Sequence, residues 1–266
     1  MAQPLLKQGA RTNLVNADGQ TALVAAAHQD NHWMVVLLLE RGCDPGIQDT
    51  NGHTAFWYAE FRGFEGTFRL LLVREVDIGT RGSQGFQALF AVAWMGHASI
   101  VKALLDAILD ARRKQAEAAD DGFDDESKDN KSSALVGRTP LSVAAEHERR
   151  ETVEVLLAKH AVKPDSKDPR GRIPLSYAAQ NGHEKVARLL LAKSGVDPDS
   201  KDDQGNTPLM GDEQVVRMLL ARGNVRPNPS DVDGQTPLSL ALAGRHRTVA
   251  RLILAQDGVD LHFTDD

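Results

Sequence analysis

The chain has 266 residues, of which 37 are acidic and 31 are lysine or arginine, giving a formal net charge of −6. This acidic balance disfavours binding to nucleic acid or to an anionic membrane surface, because both need a dense basic face. A single cysteine, Cys43, excludes an internal disulfide. The sequence has no apolar run long enough to span a bilayer, and its first residues lack the apolar core of a secretory signal. We therefore expect a cytoplasmic protein, with the nucleus as the alternative location.

A short motif led by glycine recurs seven times along the chain. The distances between successive leading glycines are 33, 33, 52, 34, 34 and 29 residues, which matches a repeat with one insertion and one shortened copy. The copies occupy residues 19–23, 52–56, 85–89, 137–141, 171–175, 205–209 and 234–238. On this motif and period the chain resembles ankyrin-repeat proteins over nearly its whole length. The turn-rich segment 195–202 is similar to that of ankyrin arrays in fungal multidomain proteins.

Each copy of the motif predicts the start of a helix. Most of the later copies read Gly-x-Thr-Pro-Leu, in which glycine suits a tight turn with positive φ and threonines such as Thr139 and Thr207 are placed to cap a helix. The proline that follows lacks an N–H, which is harmless at a first helical position. After a glycine break comes a second helix, in which Val186, Leu189 and Leu190 form a buried stripe. The predicted fold is therefore all-α: an ankyrin-repeat solenoid of stacked helix-turn-helix units with projecting hairpin fingers.

We predict a single ankyrin-repeat array over residues 1–266, built from unequal parts. Residues 1–16 are the end of an incomplete repeat, and residues 17–106 are three repeats that diverge from the family pattern. Residues 107–134 hold an extended helix and an acidic insert. Residues 135–266 are four repeats, the third of them shortened, that end in a partial finger. A solenoid end normally carries a polar cap, so the chain is either part of a larger polypeptide or covers this end with a partner.

Two irregular segments leave alternatives open. The apolar stripe that begins at Ile100 continues to Leu109 and beyond it into strong helix formers, which predicts one helix of roughly 18 to 20 residues. The run 120–129 then holds six acids and one lysine, and it is either a solvated linker or an acidic segment that docks or acts as a lid. In the sixth repeat Met210 runs directly into Gly211, so one helical turn or more is missing. The resulting notch is either a binding cleft or drift in a tolerant array.

The resemblance implies that a partner meets the fingers and the last residues of the first helices. Phe61, Phe86, Trp94 and Met95 map to such positions on adjacent repeats, and we predict that they form one apolar patch. The alternative is that some of these rings turn inward and fill the core. The full set of predicted partner-binding residues is His28, His53, Phe61, Arg62, Phe86, Trp94, Met95, Glu146, His147, Gln180 and Asn181, with Arg138 and Arg172 at two further finger positions.

The sequence favours a non-enzymatic protein-protein interaction scaffold whose partner binds the concave face and the fingers. The alternative is a small-molecule binder or unusual enzyme that uses the aromatic-lined concave groove of the first three repeats. The sequence has no phosphate-binding loop, zinc-protease motif or nucleophile elbow, and we assign no catalytic, cofactor-binding or metal-binding residue. His97 and His183 occupy positions where the family uses histidine structurally. Cys43 fits a buried structural thiol better than a nucleophile.

The acidic run yields a first testable prediction. Deleting residues 120–130 is expected to leave the thermal midpoint of unfolding within a few degrees of wild type, because an unordered loop contributes little beyond closure entropy. Differential scanning calorimetry of the two chains measures the difference. A large loss of stability would show instead that the segment packs on the array.

Overall fold

The structure, a computed structural model, describes residues 12–74, 82–118, 138–223, 225–244, 246–256 and 258–259. The chain divides into two compact units, 1–127 and 128–266, and the boundary between them falls outside the described residues. Both units are built from helices, and the ranges just given contain no β-strand, only an isolated bridge between Val15 and Thr21. The predicted all-α class is confirmed. A single array through both units stays a prediction.

The first unit contains three repeats, each with a first and a second helix. These are α1 (Ala22–His28) and α2 (His32–Glu40), α3 (Ala55–Arg62) and α4 (Glu65–Arg74), and α5 (Gly82–Met95) and α6 (Ala98–Ala118). Helix α1 packs on α3 and α3 on α5, while α2 packs on α4 and α4 on α6. First helices therefore stack on first helices and second helices on second helices, so that each repeat contacts mainly its neighbours.

The second unit contains four repeats. Its α-helices in the described residues are α7 (Pro140–Glu146) and α8 (Arg150–Leu157), α9 (Pro174–Gln180) and α10 (Glu184–Leu191), α11 (Glu213–Ala221), and α12 (Pro237–Ala243) and α13 (Arg247–Leu254). Repeat six is the exception, because a three-residue 3-10 turn, Pro208–Met210, stands before α11 in place of a first helix. Within this unit α7 packs on α9, α8 on α10 and α10 on α11.

Threonine caps begin most of the first helices. The hydroxyls that accept the backbone N–H three residues ahead are those of Thr21, Thr54, Thr139 and Thr236. In the last two, a serine at that third position accepts the N–H of the capping residue in return, which satisfies two free donors at once. The prediction that Thr207 caps a helix is wrong. No α-helix follows it, and the N–H of Met210 donates to the carbonyl of Thr207 at 2.9 Å instead.

The core lies between the two helices of each repeat and those of the next. Val186 and Leu190 on α10 are fully buried as predicted, whereas Leu189 is only half-buried. Ala178 and Ala179 on α9 are fully buried as well, and their small side chains let neighbouring first helices approach. Since each repeat buries its apolar stripe against the next one, no repeat holds a core by itself.

Each described finger is closed by an aspartate or asparagine that the sequence reasoning did not single out. Its side-chain oxygen accepts the backbone N–H groups two and four residues ahead, and the leading glycine lies three residues after it. The residues that make this turn are Asn16, Asp49, Asp168, Asp202 and Asp231. The glycine that follows, such as Gly171 with φ 74°, adopts the left-handed conformation that the motif predicts.

The third repeat departs from the predicted unit at its start. Helix α5 begins at Gly82, so residues 85–89 lie inside a helix of 14 residues and the prediction of a turn at Gly85 is wrong. This copy reads Gly-Phe-Gln-Ala-Leu, with neither the capping threonine nor the proline, so nothing in it marks a helix start. The side chains of residues 82–87, and that of Phe86 with them, are outside the described part of the structure.

The segment between repeats three and four begins with a long helix. Helix α6 runs for 21 residues, where the sequence predicts roughly 18 to 20. The acidic run 120–129 lies outside the described residues, and so do residues 1–11 of the incomplete first repeat. In repeat six the missing residues are those of the first helix, which is reduced to the short turn before α11.

The cap at Thr139 should give a measurable difference in stability. Thr139→Ala removes the acceptor for the Ser142 N–H and is expected to lower the free energy of unfolding by about 1 kcal/mol. Thr139→Ser keeps an oxygen at the same place and should retain most of the stability. Urea denaturation followed by circular dichroism compares the two variants. Equal stability of both would show that the cap contributes nothing.

Candidate functional site

Three residues at the C-terminal ends of neighbouring first helices form a column in the first unit. His28, Phe61 and Trp94 are 33 residues apart and lie at or next to the last residues of α1, α3 and α5. Phe61 is 48% exposed and Trp94 is 51% exposed, so the alternative that these two rings fill the core is wrong. Met95 beside them is half-buried. The participation of Phe86 in one patch with these residues stays a prediction.

A stack of rings holds Phe61 in place. The ring of Trp57, one turn earlier on α3, lies nearly parallel to that of Phe61 with the centroids 4.8 Å apart. The ring of His53, from the finger, also stacks on Trp57, at 3.6 Å. The sequence reasoning did not assign Trp57 to this surface. The signal that could have placed it here is its spacing of four residues from Phe61, which brings the two rings to one side of a helix.

Polar contacts around the stack link the first two repeats. The ring of Tyr58 meets that of His28 edge-on at 4.7 Å, and its hydroxyl donates to Asp49 at 2.7 Å. The guanidinium of Arg62 lies 3.0 Å from Nε2 of His28. Because arginine has only donors, this imidazole nitrogen accepts the hydrogen bond. The exposed charge of Arg62, one residue after Phe61, is thereby held at the end of α1.

Several of the predicted residues of the second unit contact groups of their own repeat. Glu146 forms an ion pair with Arg138, and Nε2 of His147 lies 3.6 Å from the same carboxylate. Burial lowers the pKa of His147 below its ordinary value, against the opposing effect of Glu146, so this imidazole is mainly neutral at pH 7. Gln180 is exposed at the end of α9, and the Asn181 side chain donates to a carbonyl of that helix at 2.9 Å.

Arg138 and Arg172 cover a buried tyrosine. Their guanidinium carbons lie 4.5 and 4.4 Å from the ring centre of Tyr177. The hydroxyl of Tyr177 donates to Asp168 at 2.6 Å, and Arg172 pairs with that carboxylate at 3.2 Å. Burial and the hydrogen bond to Asp168 raise the pKa of Tyr177 to about 12. Burial also raises the pKa of Asp168, but hydrogen bonds from Tyr177 and the backbone outweigh it, and the pKa lies below its ordinary value.

His97, His183 and Cys43 have structural roles. Nε2 of His97 lies 3.2 Å from the carbonyl oxygen of Phe61, and Nε2 of His183 lies 2.8 Å from that of Glu146. Each contacts a carbonyl near the end of the preceding first helix, which fits the structural role predicted for them. Cys43 is buried, and burial raises its pKa, so the thiol is unsuited to nucleophilic chemistry. The described residues hold no cluster of three or more metal-binding side chains.

The shortened sixth repeat borders a cavity of about 550 Å³. It lies between α9 and the 3-10 turn of repeat six, where the five missing residues predict a notch. Gln180 of α9 lines it, together with Gln204 and Asn206 of the finger and Met210 and Gly211 of the turn. Of the residues that the sequence assigns to partner binding, Gln180 and the finger residue Arg172 line this cavity.

The repeat length and the stacked helix pairs match one known family. Four overlapping matches to the family model described as ankyrin repeats (3 copies) cover residues 1–81, 26–118, 111–202 and 175–265. The chain belongs to the ankyrin-repeat family. The resemblance read from the glycine-led motif is therefore confirmed, and so is the ankyrin-repeat fold.

Two solved structures illustrate how far the likeness of this ankyrin-repeat chain extends. The ankyrin repeat domain of Bcl-3, described as a unique member of the IkappaB protein family, is 24% identical, covers 90% of this chain and 100% of its own, and has a TM-score of 0.65. The human ASB11 ankyrin repeat domain is 20% identical, covers 91% and 100%, and has a TM-score of 0.66. These identities show the fold alone. A search of curated proteins finds no relative by sequence.

Among the helices of the described residues, none combines the length and the apolar character needed to cross a bilayer.

The bond between Tyr177 and Asp168 predicts a pH-dependent stability. Tyr177→Phe removes the donor, so the pKa of Asp168 should rise toward its ordinary value and the free energy of unfolding at pH 7 should fall by roughly 1.5 to 3 kcal/mol. A carboxylate with a lowered folded-state pKa stabilises the fold above its unfolded pKa of about 3.9. That stabilisation is lost as the pH falls through the folded-state pKa.

The difference between wild type and Tyr177→Phe should therefore narrow as the pH falls below about 4. Urea denaturation at pH 7 and in steps toward pH 2 measures it. Tyr58→Phe, which breaks the equivalent bond to Asp49, provides a second case in the first unit. If the free energies of unfolding of wild type and Tyr177→Phe differ by the same amount over this whole range, the hydrogen bond to ionised Asp168 is not the source of the difference.

Proposed function

We propose that the chain is a non-enzymatic protein-interaction scaffold whose partner binds the first helices and fingers of repeats one to three. The observation that carries this proposal is the pair of exposed rings, Phe61 and Trp94, set 33 residues apart on the packed helices α3 and α5. Large aromatic side chains supply much of the binding energy at protein interfaces. Two of them in register on rigid helices provide adjacent anchor points for one partner.

The surroundings of Phe61 support its role as an anchor. Trp57 stacks on Phe61, and His53 stacks in turn on Trp57, so little side-chain freedom remains to be lost when a partner covers the ring of Phe61. The exposed guanidinium of Arg62 lies against His28, which occupies the equivalent position to Phe61 one repeat earlier. A partner suited to this surface has an apolar centre for the rings and an acidic group for Arg62.

The other predicted residues have secondary parts in this proposal. Met95 directly follows Trp94 and is half-buried, so it is assigned to the same surface, while a part for Phe86 stays a prediction. A part in partner binding for the polar residues of the second unit, Glu146, His147, Gln180 and Asn181, stays a prediction.

Ankyrin repeats are in general protein-protein interaction modules, which supports a protein as the partner. The alternative of a small molecule or a reaction in the aromatic-lined groove of the first three repeats has less support, since the cavity described above lies in repeats five and six. The cytoplasmic location, with the nucleus as its alternative, and membership of a larger polypeptide stay predictions.

Alanine variants of the two exposed rings, with an alanine variant of a third exposed ring as control, test the proposal. Trp94→Ala and Phe61→Ala are each expected to weaken partner binding about thirtyfold, the effect of losing a central anchor worth roughly 2 kcal/mol. Trp33→Ala is the control, because Trp33 is 55% exposed but lies on the second helix α2 and not at the end of a first helix. Proteins captured by the tagged wild-type chain from its source cells are quantified by mass spectrometry against the three variants.

Thermal melting separates loss of binding from loss of folding. Phe61 and Trp94 are about half exposed, so their alanine variants should unfold within a few degrees of wild type. The proposal fails if every captured protein binds Trp94→Ala and Phe61→Ala as well as wild type, or if Trp33→Ala loses the same proteins.

A further inference from the structure

The cavity of repeat six replaces part of a helix. Repeat six is five residues shorter than repeats four and five, and its first helix is reduced to the 3-10 turn Pro208–Met210. On one side α9 packs along the first helix α7, but on the other side this short turn stands in place of a first helix. Ser176, Ala179 and Gln180 of α9 therefore line an open cavity at the place where the next first helix would lie.

One buried hydroxyl at this cavity has no partner. Thr207 is 4% exposed and lines the cavity, and its Oγ1 has no hydrogen-bond partner within the described part of the chain. The equivalent hydroxyl of Thr236 accepts the N–H of Ser239 at 3.2 Å. At Thr207 the corresponding N–H, that of Met210, is used by the backbone carbonyl instead. The loss of the helix thus leaves a buried polar group unsatisfied, which is costly unless a ligand supplies the missing bond.

The free polar groups of the lining are neutral. Gln180 and Gln204 are exposed side-chain amides, and Ser176 and Thr207 are hydroxyls, so each can both donate and accept hydrogen bonds. A peptide main chain, with one N–H and one C=O per residue, is the ligand that such groups match.

The charged groups of the lining have partners within the chain or balance each other. Arg172 pairs with Asp168, and the carboxylate of Asp202 accepts two backbone N–H groups of its own finger. The lining holds two arginines and two aspartates, Arg170, Arg172, Asp202 and Asp203, so its formal charges sum to zero. The cavity therefore has no net charge that would select an anion or a cation.

The wall of the cavity is fixed by close backbone contact. The N–H of Asp212 donates to the carbonyl of Ala179 at 2.8 Å. A Cβ added at Gly211 would lie 2.5 Å from the same oxygen, so only glycine permits this approach of the turn to α9. The cavity is therefore preformed in the free chain, which reduces the entropy lost on binding.

We infer that this cavity binds a short polypeptide segment of a protein partner, mainly through the main-chain amides of that segment. The segment takes the place of the missing helical turn and supplies a hydrogen bond to Oγ1 of Thr207. A volume of about 550 Å³ is in the range of ligand-binding pockets. This site belongs to the second unit and does not depend on the aromatic column of the first.

A displayed library of random heptapeptides provides the probe. The full chain is used as the target, and the peptides enriched on it are measured one by one by fluorescence anisotropy. Gln180→Trp fills the cavity from an exposed position and is expected to abolish binding. Phe61→Ala, in the other unit, should bind the same peptides with unchanged affinity, which separates this inference from the function proposed above.

Thr207→Val gives the sharper test, because it removes only the hydroxyl. The free variant should melt at the same temperature as wild type or higher, since that hydroxyl has no bond to lose, while peptide affinity should fall about tenfold. The matched control Thr236→Val loses a real helix cap and should melt at a lower temperature. The inference is overturned if no enriched peptide is lost on Gln180→Trp, if Thr207→Val binds as tightly as wild type, or if it destabilises the free chain as much as Thr236→Val does.

Discussion

Apolar contact between consecutive repeats is the constraint on which this molecule depends. A unit of about 33 residues cannot bury its own apolar stripe, so Val186 and Leu190 become fully buried only because α10 lies between α8 and α11. The alanines of the first helices allow the same approach on the other face. Once the second helices are in register, the ends of the first helices are necessarily in register too. The column of His28, Phe61 and Trp94 is a consequence of that packing.

Hydrogen bonds between repeats make the stacking specific. The aspartate or asparagine at each described finger closes a turn locally, and the finger then bonds to the next one through its backbone, as between the N–H of Asp203 and the carbonyl of Arg170 at 2.9 Å. His97 and His183 add contacts from a second helix to the preceding repeat. These hydrogen bonds satisfy polar groups at helix ends and turns, so the repeats stack without leaving those groups unpaired. Stacking in another register would break the bonds.

The candidate binding features lie where the chain breaks its own pattern. Trp57 stands where three later repeats have serine, and its ring supports Phe61 instead of closing a helix cap. Repeat six has lost its first helix, and the consequence is a cavity with an unsatisfied hydroxyl at Thr207. Each departure gives up a local stabilising contact and leaves an exposed or unsatisfied group. Such local inconsistencies are expected at functional sites.

The sequence by itself determined the period, most of the helix pairs and turn glycines, and the shortened repeat. These features are local, because a capping threonine or a glycine with positive φ acts within a few residues. It could name Phe61 and Trp94 as surface candidates but could not choose between an exposed and a buried ring. Only the tertiary structure decided their exposure, the stack with Trp57, and the cavity beside Thr207. The reason is physical: exposure and cavity shape depend on atoms of neighbouring repeats about 33 residues away, and no local pattern reports how closely those repeats pack.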